Sequence, residues 1–298
     1  MSVIFYFSGT GNSLDVAKQL GSALKECRLE PMSAYLQHPY PVEDEVVGLV
    51  CPVYCFTLPP LVQDFIKKLD CVQEKVSLAL QKPVAQDASA LEGKAVAQEA
   101  SISEGSYLKA QSLPHYTFGV VTMGGNQGRA LKCMQELLAA RDITLDYAAA
   151  LMMPDNIFNT PELKAAEMLT AADQRLVNLQ EAVHARRQDV SQCQENYLWK
   201  YMGVSGCWWY LRNWLHVGEF TIDYDACVGC GQCAKICPVG NITMVNGRPS
   251  FGKECAVCLG CVHWCPQHAL QMGKVNKLGS KRYVNPNIKI QEMFKPEK

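Results

Sequence analysis

The feature that most constrains this chain is a repeat of eight cysteines near its C-terminal end. The run Cys227-x2-Cys230-x2-Cys233-x3-Cys237-Pro238 recurs 28 residues later as Cys255-x2-Cys258-x2-Cys261-x3-Cys265-Pro266. Three thiolates spaced by two residues can surround one face of an iron–sulfur cubane, and the fourth, on a following helical turn, points away from it. The spacing therefore predicts two 4Fe-4S clusters with crossed ligand sets. Cys227, Cys230, Cys233 and Cys265 hold one cluster, and Cys255, Cys258, Cys261 and Cys237 hold the other.

Two other uses of cysteine compete with this interpretation. Cys-x2-Cys pairs also form tetrahedral zinc sites that only hold small domains together, but eight cysteines in this pattern, with each half ending in Cys-Pro, favour clusters. Disulfide scaffolds are short secreted chains, whereas this sequence has 298 residues, 15 of them cysteine, and opens without a positively charged signal segment. We therefore expect a reducing compartment and a cytoplasmic protein.

The charge and hydrophobicity of the chain limit the classes of partner that we expect. A formal net charge of -1, with 19% charged and 48% hydrophobic residues, is typical of a globular protein without a basic surface for nucleic acid. The most aromatic stretch, residues 197–216, is interrupted by Lys200 and Arg212, so it lacks the long uncharged run that a membrane span needs. We expect no nucleic-acid partner and no transmembrane segment.

The N-terminal part alternates between strand and helix patterns. Short apolar runs at residues 2–7, 46–50 and 116–122 have strand character, and each is followed by a loop and a helical segment. A long helix is expected from residue 162 to about residue 187. Strands that alternate with helices predict a parallel, doubly wound α/β sheet.

A hydroxyl-rich loop lies where the first strand gives way to the first helix. Its sequence is Ser8-Gly9-Thr10-Gly11-Asn12-Ser13. Free backbone N–H groups and the helix dipole attract a phosphate at such a place. The loop lacks both the lysine of a nucleotide P-loop and the glycine spacing of a dinucleotide fold. It suits a single phosphate monoester, although a Gly-Thr-Gly turn can also be a simple connector.

In this loop the chain resembles flavodoxin, whose loop of the form Ser/Thr-x-Thr-Gly-x-Ser/Thr holds the phosphate of FMN. The resemblance covers roughly positions 1–160 and implies a five-stranded parallel sheet that binds FMN. It also implies that the loops after the third and fourth strands grip the flavin ring. Those loops contain Pro52, Val53, Tyr54, Met123, Gly124, Gly125, Asn126 and Gly128. Tyr54 is the candidate for stacking on the ring, and its alternative role is that of a core tyrosine. Many flavodoxins have a glycine beside the ring, where this chain has Cys55 and Phe56.

The cysteine repeat resembles two-cluster bacterial ferredoxins, so nearly the whole chain resembles the flavodoxin-ferredoxin fusion proteins of anaerobic bacteria and archaea. The expected domains are a flavodoxin-like FMN domain at residues 1–190 with an insertion at about 81–113, a Trp-rich linker at 191–218, a small α+β ferredoxin domain at 219–273 and a basic tail at 274–298. The linker tryptophans are expected to pack the two domains together, and the alternative is a homodimer interface or a contact with a membrane surface.

This resemblance implies an electron-transfer iron–sulfur flavoprotein that relays electrons between the two clusters and FMN. FMN takes two electrons singly or together and each cluster passes one, so the pair couples one- and two-electron traffic between a low-potential donor and an acceptor. The expected partner is a redox protein, such as a reduced ferredoxin or an oxidoreductase, and no catalytic residue is singled out. The alternative is a flavin-dependent reductase of a quinone, nitro compound or enone, with the clusters as its electron inlet.

Overall fold

The computed structural model describes residues 1–71, 114–157, 160–194, 204–275 and 282–294. Its largest element is a sheet of five parallel strands: β1 (Ser2–Tyr6), β2 (Cys27–Pro31), β3 (Val46–Pro52), β4 (Tyr116–Met123) and β5 (Tyr147–Met152). Their order across the sheet is β2-β1-β3-β4-β5. This is the flavodoxin-like strand order, and the predicted doubly wound α/β fold class is confirmed.

Helices cover both faces of this sheet. One face carries α1 (Asn12–Ser22) and α5 (Glu162–His184), and the other carries α2 (Met32–Gln37), α3 (Pro60–Lys68) and α4 (Ala130–Ala139). Successive side chains of a strand point to opposite faces. Val3 and Phe5 of β1 therefore enter the core under α2, α3 and α4, while Ile4 enters the core under α1 and α5. We call this unit the sheet domain.

The apolar runs in the sequence locate three of the five strands, β1, β3 and β4. The long helix predicted from residue 162 corresponds to α5. β2 and β5 complete the five strands that the flavodoxin resemblance implies. The expected insertion at residues 81–113 lies outside the described residues.

Residues 220–272 form a second, smaller unit, which we call the cysteine module. Its elements are β6 (Phe220–Ile222), α7 (Gln232–Ile236), β7 (Ile242–Val245), β8 (Arg248–Phe251), α8 (Gly260–His263) and β9 (Leu270–Met272). β6 pairs antiparallel with β9, and β7 pairs antiparallel with β8. The shift that superimposes the two cysteine motifs also carries β6 onto β8, α7 onto α8 and β7 onto β9, so the repeat in the sequence is also a repeat in the structure.

A helix, α6 (Val204–Asn213), precedes the cysteine module. Its Trp208 packs against both the core of the sheet domain and the core of the cysteine module. Trp209 and Trp214 are exposed instead, and Trp199 lies outside the described residues. Within the described ranges, the helices are all too short or too polar to cross a membrane.

Candidate functional site

Two cavities in the cysteine module are each lined by four cysteines. The outer cavity, about 370 Å³, is lined by Cys227, Cys230, Cys233 and Cys265. The inner cavity, about 300 Å³, is lined by Cys237, Cys255, Cys258 and Cys261. Each cavity thus takes three cysteines from one motif and the fourth from the other. This is the grouping that the spacing predicts for crossed ligand sets.

The thiols of each cavity surround a space rather than a point. Among the residues that the structure describes, no three His, Cys, Asp or Glu side chains converge closely enough to hold one metal ion. Four cysteine thiols around one space are the ligand set of a 4Fe-4S cubane, which is held by four cysteine thiolates.

The backbone around the two cavities repeats with the sequence. Gly229 and Gly231 have φ angles of 69° and 73°, and the equivalent positions of the second motif, Val257 and Leu259, have φ angles of 55° and 59°. Left-handed residues within a turn direct successive backbone N–H groups into a concavity that favours negative charge. Both motifs therefore form the same type of loop, although only the first one has glycine at these positions.

Backbone N–H groups also contact the cysteine sulfurs directly. They donate from Asn241 to Cys237 Sγ at 3.2 Å, from Val257 to Cys255 Sγ at 3.3 Å and from Ala269 to Cys265 Sγ at 3.4 Å. Such donors stabilise a thiolate and tune the reduction potential of a cluster bound to it. The two bonds made by Asn241 and Ala269 occupy equivalent positions in the two halves of the repeat.

The two cavities differ in burial. Cys230 of the outer cavity is exposed, whereas Cys258 and Cys261 of the inner cavity are buried. Burial raises the pKa of the Cys258 thiol to about 12, and it raises the pKa of the Cys261 thiol well above its usual value. These two thiolates need a bound cation or cluster to exist at neutral pH, because thiolate charge is costly in a low dielectric.

A third cavity of about 390 Å³, which we call the loop cavity, lies at the carboxyl edge of the sheet. Four loops line it, at residues 8–13, 52–54, 122–124 and 153–156, next to the ends of β1, β3, β4 and β5. Open α/β sheets bind ligands at this edge. α1 begins at Asn12, so backbone N–H groups of its first turn, which have no acceptor within the helix, favour an anion here.

Hydroxyl groups hold the loop between β1 and α1 in place. Ser8 Oγ accepts a hydrogen bond from the Gly11 N–H at 3.1 Å, and Ser13 Oγ lies 2.9 Å from Thr122 Oγ1 on β4. Thr10 is buried and also lines the loop cavity. None of the described lining residues is Lys or Arg, so hydroxyl and backbone groups are the donors that this wall offers.

Most of the predicted flavin-site residues meet at the loop cavity. Its lining includes Ser8, Gly9, Thr10, Asn12, Ser13, Pro52, Val53, Tyr54, Met123 and Gly124. Gly11, Gly125, Asn126 and Gly128 lie outside that lining. Thr122 and residues 153–156 line the cavity without having been singled out in the sequence. The available signal for the latter is a Pro-Asp-Asn turn that follows an apolar, Ala-rich run.

Tyr54 lies between the loop cavity and the inner cavity. Its buried ring packs edge-on against Phe7, with the ring centroids 6.1 Å apart, and it also lines the loop cavity. Burial raises the pKa of its phenol well above the usual value, and the neighbouring Cys258 thiol adds to the shift. Tyr54 therefore belongs to the hydrophobic core of the sheet domain and also lines the loop cavity.

The cysteine module and the loop cavity meet at Gly9. A Cβ atom at position 9 would overlap the carbonyl oxygen of Cys258, and a Cβ atom at Gly260 would lie 3.2 Å from the carbonyl oxygen of Gly9. The indole N–H of Trp264 donates to that same Gly9 oxygen at 3.1 Å. The backbone of the hydroxyl-rich loop therefore packs directly on a cysteine of the inner cavity.

His263 joins the cysteine module to the loop after β5. Its Nε2 lies 2.7 Å from the carbonyl oxygen of Asn156, which can only accept, so Nε2 carries the proton and donates. Burial lowers the pKa of His263 to about 4, and the imidazole is therefore neutral at pH 7. No sequence pattern indicated this contact.

Residues 282–294 return to the sheet domain and cover the other side of the hydroxyl-rich loop. Asn285 is fully buried there, and its backbone N–H donates to the Thr10 carbonyl oxygen at 2.8 Å. Its side-chain amide donates to Asn12 Oδ1 at 3.2 Å and to Asp15 Oδ2 at 3.1 Å. The loop is thus held between the cysteine module and this C-terminal segment.

Comparisons with known proteins match the cysteine module. The family of 4Fe-4S binding domains matches residues 220–243. An uncharacterized ferredoxin of Methanocaldococcus jannaschii is 33% identical over 57 residues, which are 17% of this chain and 74% of that protein. A component of an ion-translocating oxidoreductase complex of Methanosarcina acetivorans is 38% identical over 47 residues, 15% of this chain and 18% of that protein. The chain spans between 18% and 37% of the length of the first curated relatives that it matches.

Among solved structures, a flavoprotein from Bacteroides uniformis is similar at a TM-score of 0.30 and 11% identity, covering 52% of this chain and 91% of that one. The fold of the sheet domain is assigned from its strand order, which is flavodoxin-like. The cysteine module has the ferredoxin motifs, with four cysteines around each cavity. The chain therefore belongs to the ferredoxin family of 4Fe-4S electron-transfer proteins through its cysteine module, which follows a sheet domain of flavodoxin-like fold.

Proposed function

We propose that this protein relays electrons between two 4Fe-4S clusters and FMN, and so couples one- and two-electron steps between a low-potential donor and an acceptor. The observation that supports this most directly is the packing of Gly9 on Cys258. It makes a residue of the loop cavity and a residue of the inner cavity immediate neighbours. Tyr54 is a second residue between the two cavities, because it lines the loop cavity and lies beside Cys258 of the inner cavity.

The eight cysteines of the two cavities are the proposed cluster ligands, in the crossed sets that the cavities group together. The inner cavity would hold the cluster next to the sheet domain, and the outer cavity would hold the cluster next to solvent. Backbone N–H groups already directed at Cys237, Cys255 and Cys265 favour the thiolate form of these ligands.

The loop cavity is the proposed site for the phosphate and ring of FMN. The N-terminus of α1 and the hydroxyls of Ser8 and Thr10 suit a phosphate monoester. Residues 52–54, 123–124 and 153–156 form the remaining walls, where the ring would lie. When bound, FMN would supply the ability to accept two electrons singly or together. The chain's own contribution is to fix the phosphate, orient the ring and exclude water at the wall formed by Tyr54.

The outer cavity is the proposed place of exchange with a redox partner protein. Cys230 is exposed, and the neighbouring Val228 is 66% exposed, so a partner can approach this cavity closely. The similar protein of Methanosarcina acetivorans belongs to an oxidoreductase complex, which agrees with a role alongside other redox proteins. A reducing cytoplasm suits the fifteen free thiols of the chain.

Analysis of the cofactors tests the proposal as a whole. The protein is purified without oxygen, and its iron, acid-labile sulfide and flavin are measured. We expect about eight irons and eight sulfides per chain, as two cubanes require, together with one FMN. Zinc without sulfide, or a preparation that binds clusters but takes up no FMN, would contradict it.

A substitution in the loop cavity tests the flavin site separately. Thr10→Val removes a buried hydroxyl at nearly constant volume and should weaken FMN binding about tenfold or more, as expected for a lost hydrogen bond to a charged group. Thr170→Val is the matched control, because Thr170 is exposed on α5 and bonds only the Ala166 carbonyl oxygen. Equal FMN affinity of the two variants would argue against phosphate binding at Thr10.

A kinetic test distinguishes a carrier from a reductase. Chemically reduced protein is mixed with quinones, nitro compounds and enones, and separately with oxidised ferredoxin. A carrier should reduce ferredoxin quickly and the small acceptors slowly, without saturation. Saturable turnover of a small acceptor would instead support the reductase.

A further inference from the structure

Three aromatic side chains on and just after α6 are exposed to solvent. Trp209 is 63% exposed, Tyr210 is 42% exposed, and Trp214, one residue beyond the end of the helix, is 60% exposed. The Trp214 N–H donates to the Tyr210 carbonyl oxygen at 2.9 Å, so these two residues lie one helical turn apart on the same face. Trp208 and Leu211 pack inward instead. We call the three exposed rings the α6 surface.

The charges beside the α6 surface are positive. Arg212 is an exposed residue of α6, and Lys274 Nζ lies 5.5 Å from the centre of the Trp214 ring. Within the described part of the chain, neither cation is paired with a carboxylate. α6 contains no acidic residue, and the next one along the chain, Glu219, lies 3.1 Å from His216 Nδ1. Exposed aromatic rings are therefore combined here with cations that lack a counter-charge.

We propose that the α6 surface binds the surface of an anionic lipid bilayer. Tryptophan and tyrosine rings prefer the headgroup region of a bilayer, because they are apolar at one end and polar at the other. Lysine and arginine beside them attract anionic headgroups. With 10 residues, α6 is too short to cross a bilayer. It would lie in the plane of the interface, with its exposed rings among the headgroups.

A second copy of the chain fits the α6 surface less well. In a two-fold dimer the same surface faces itself, so Arg212 and Lys274 would approach the same cations of the other copy, and α6 has no carboxylate to separate them. The redox partner proposed above would approach the outer cavity, whose described lining contains no residue of α6. Charge and position therefore favour a lipid surface as the occupant.

Trp208 fixes α6 to the rest of the protein. Its ring packs against the core of the sheet domain and against the core of the cysteine module, so binding through α6 would attach both units to the bilayer. No residue of the α6 surface belongs to the described lining of either cysteine cavity or of the loop cavity. Membrane binding can therefore be tested separately from electron relay.

Sedimentation with phospholipid vesicles provides the test. The full-length protein, purified without oxygen, is mixed with vesicles of phosphatidylcholine alone or with about a third of phosphatidylglycerol, an anionic lipid. We expect cosedimentation with the anionic vesicles and about 25-fold weaker binding to the neutral ones, because each of the two cations contributes about fivefold. Raising the salt concentration from about 0.1 to about 1 M shortens the Debye length from about 10 to about 3 Å and should weaken binding to the anionic vesicles.

Two double variants locate the contact on the protein. Trp209→Ser combined with Trp214→Ser removes two exposed rings and should weaken binding to the anionic vesicles at least about tenfold, because burial of these rings drives insertion. Arg212→Gln combined with Lys274→Gln should weaken binding to the anionic vesicles about 25-fold and leave binding to the neutral vesicles unchanged.

The matched controls lie on α5, which covers the face of the sheet opposite to the core that Trp208 contacts. Leu163→Ser combined with Val177→Ser replaces two exposed apolar side chains. Lys164→Gln combined with Arg175→Gln replaces two exposed cations. Both control variants should bind the vesicles like the unmodified protein.

Iron content is measured for every variant and should match that of the unmodified protein, because all the substituted side chains are exposed. Failure of the unmodified protein to sediment with the anionic vesicles would overturn the proposal. Equal losses of binding in the α6 variants and the α5 controls would also overturn it. A dimer that is detected by sedimentation velocity without lipid, and that the two tryptophan substitutions dissociate, would assign the α6 surface to a second copy of the chain instead.

Discussion

The two halves of the cysteine module share their spacing and left-handed turns but face different surroundings. The outer cavity opens to solvent at Cys230, and the inner cavity is closed at Cys258 by the sheet domain. Burial and hydrogen bonding to sulfur both set the potential of an iron–sulfur cluster. Two clusters bound in these cavities, as proposed above, would therefore have the same ligand type but differ in potential and in access to solvent.

The second motif makes side-chain hydrogen bonds to the sheet domain. Trp264 and His263 of the second motif donate to Gly9 and Asn156 of the sheet domain. The corresponding residues of the first motif are Lys235 and Ile236. Ile236 is buried and lines a cavity together with Tyr6, Phe7 and Ser8 of the sheet domain, and Lys235 Nζ lies 5.7 Å from the centre of the Phe294 ring. Both copies of the repeat therefore lie beside the sheet domain, and the second copy adds two side-chain hydrogen bonds to it.

The prediction with the largest expected effect tests which cysteines bind the same cluster. With crossed ligand sets, Cys230→Ala and Cys265→Ala combined damage one cluster, so about four of eight irons should remain. Cys230→Ala combined with Cys237→Ala damages both, and nearly all iron should be lost. Iron and sulfide analysis of the two anaerobically reconstituted double variants measures this. Uncrossed sets would give the reverse result.

The next effect is at the contact between the inner cavity and the loop cavity. Gly9→Ala places a Cβ atom against the Cys258 carbonyl oxygen, a main-chain atom that cannot rotate away, and should cost about 3 kcal/mol. Hydrogen exchange should speed up at residues 255–264, and electron transfer between cluster and flavin should slow. Rapid-mixing absorbance measures the latter.

Substitutions of two other glycines provide a variant with a smaller expected effect and a control. Gly260→Ala meets the Gly9 carbonyl oxygen at 3.2 Å and should show a smaller change in both measurements. Gly206→Ala, on α6 with no atom within 4 Å of its Cβ position, is the control and should behave like the unmodified protein. If all three variants exchange alike, the two units are not packed together at Gly9.

The sequence predicts the local parts of this arrangement well. The crossed ligand sets are predicted from ligand spacing, which is a short-range signal, and they stay a prediction. The cysteines that line each cavity are grouped in the same way. Strands β1, β3 and β4 are continuous apolar runs, as expected for strands buried on both faces. The hydroxyl-rich loop at Ser8 to Ser13 could be recognised because its residues are consecutive and lie between one strand pattern and one helix pattern.

The parts that the sequence does not show are those with weak or long-range signals. β2, with the sequence CRLEP, is a half-buried edge strand with Arg28 and Glu30, and β5, YAAALM, has no β-branched residue. Because β5 is hard to recognise, the loop that follows it at residues 153–156 is equally hard to find. The contacts of Gly9 with Cys258 and of Asn285 with Thr10 join distant parts of the chain, and no local periodicity encodes them.

The third prediction concerns the C-terminal segment at residues 282–294, which packs on the hydroxyl-rich loop through the Asn285 backbone N–H and the Thr10 carbonyl oxygen. Asn285→Ala removes a fully buried amide that bonds Asn12 and Asp15, and should cost about 2 kcal/mol. FMN affinity should fall, while the iron content stays unchanged. Asn287→Ala, which removes a single side-chain bond to Asp15 from an exposed position, should cost about 0.5–1 kcal/mol. Equal losses in the two variants, measured by FMN titration and by exchange at residues 282–294, would show that burial at Asn285 is unimportant.

The smallest effect concerns the left-handed turns themselves. Gly231→Ala adds a Cβ atom with only ordinary contact, 3.9 Å from Met244 Cγ, so strain at a φ of 73° is the main cost. That cost, about 1–2 kcal/mol, is offset in part by a gain of about 0.5–1 kcal/mol from the less flexible unfolded chain. Loss of the outer cluster to a chelator should therefore be about fivefold faster.

Val257→Gly relieves the same strain in the inner loop but removes a side chain packed in the module core, so the inner cluster should be lost at nearly the normal rate. A large change at Val257 with none at Gly231 would mean that packing alone, and not backbone conformation, distinguishes the two halves.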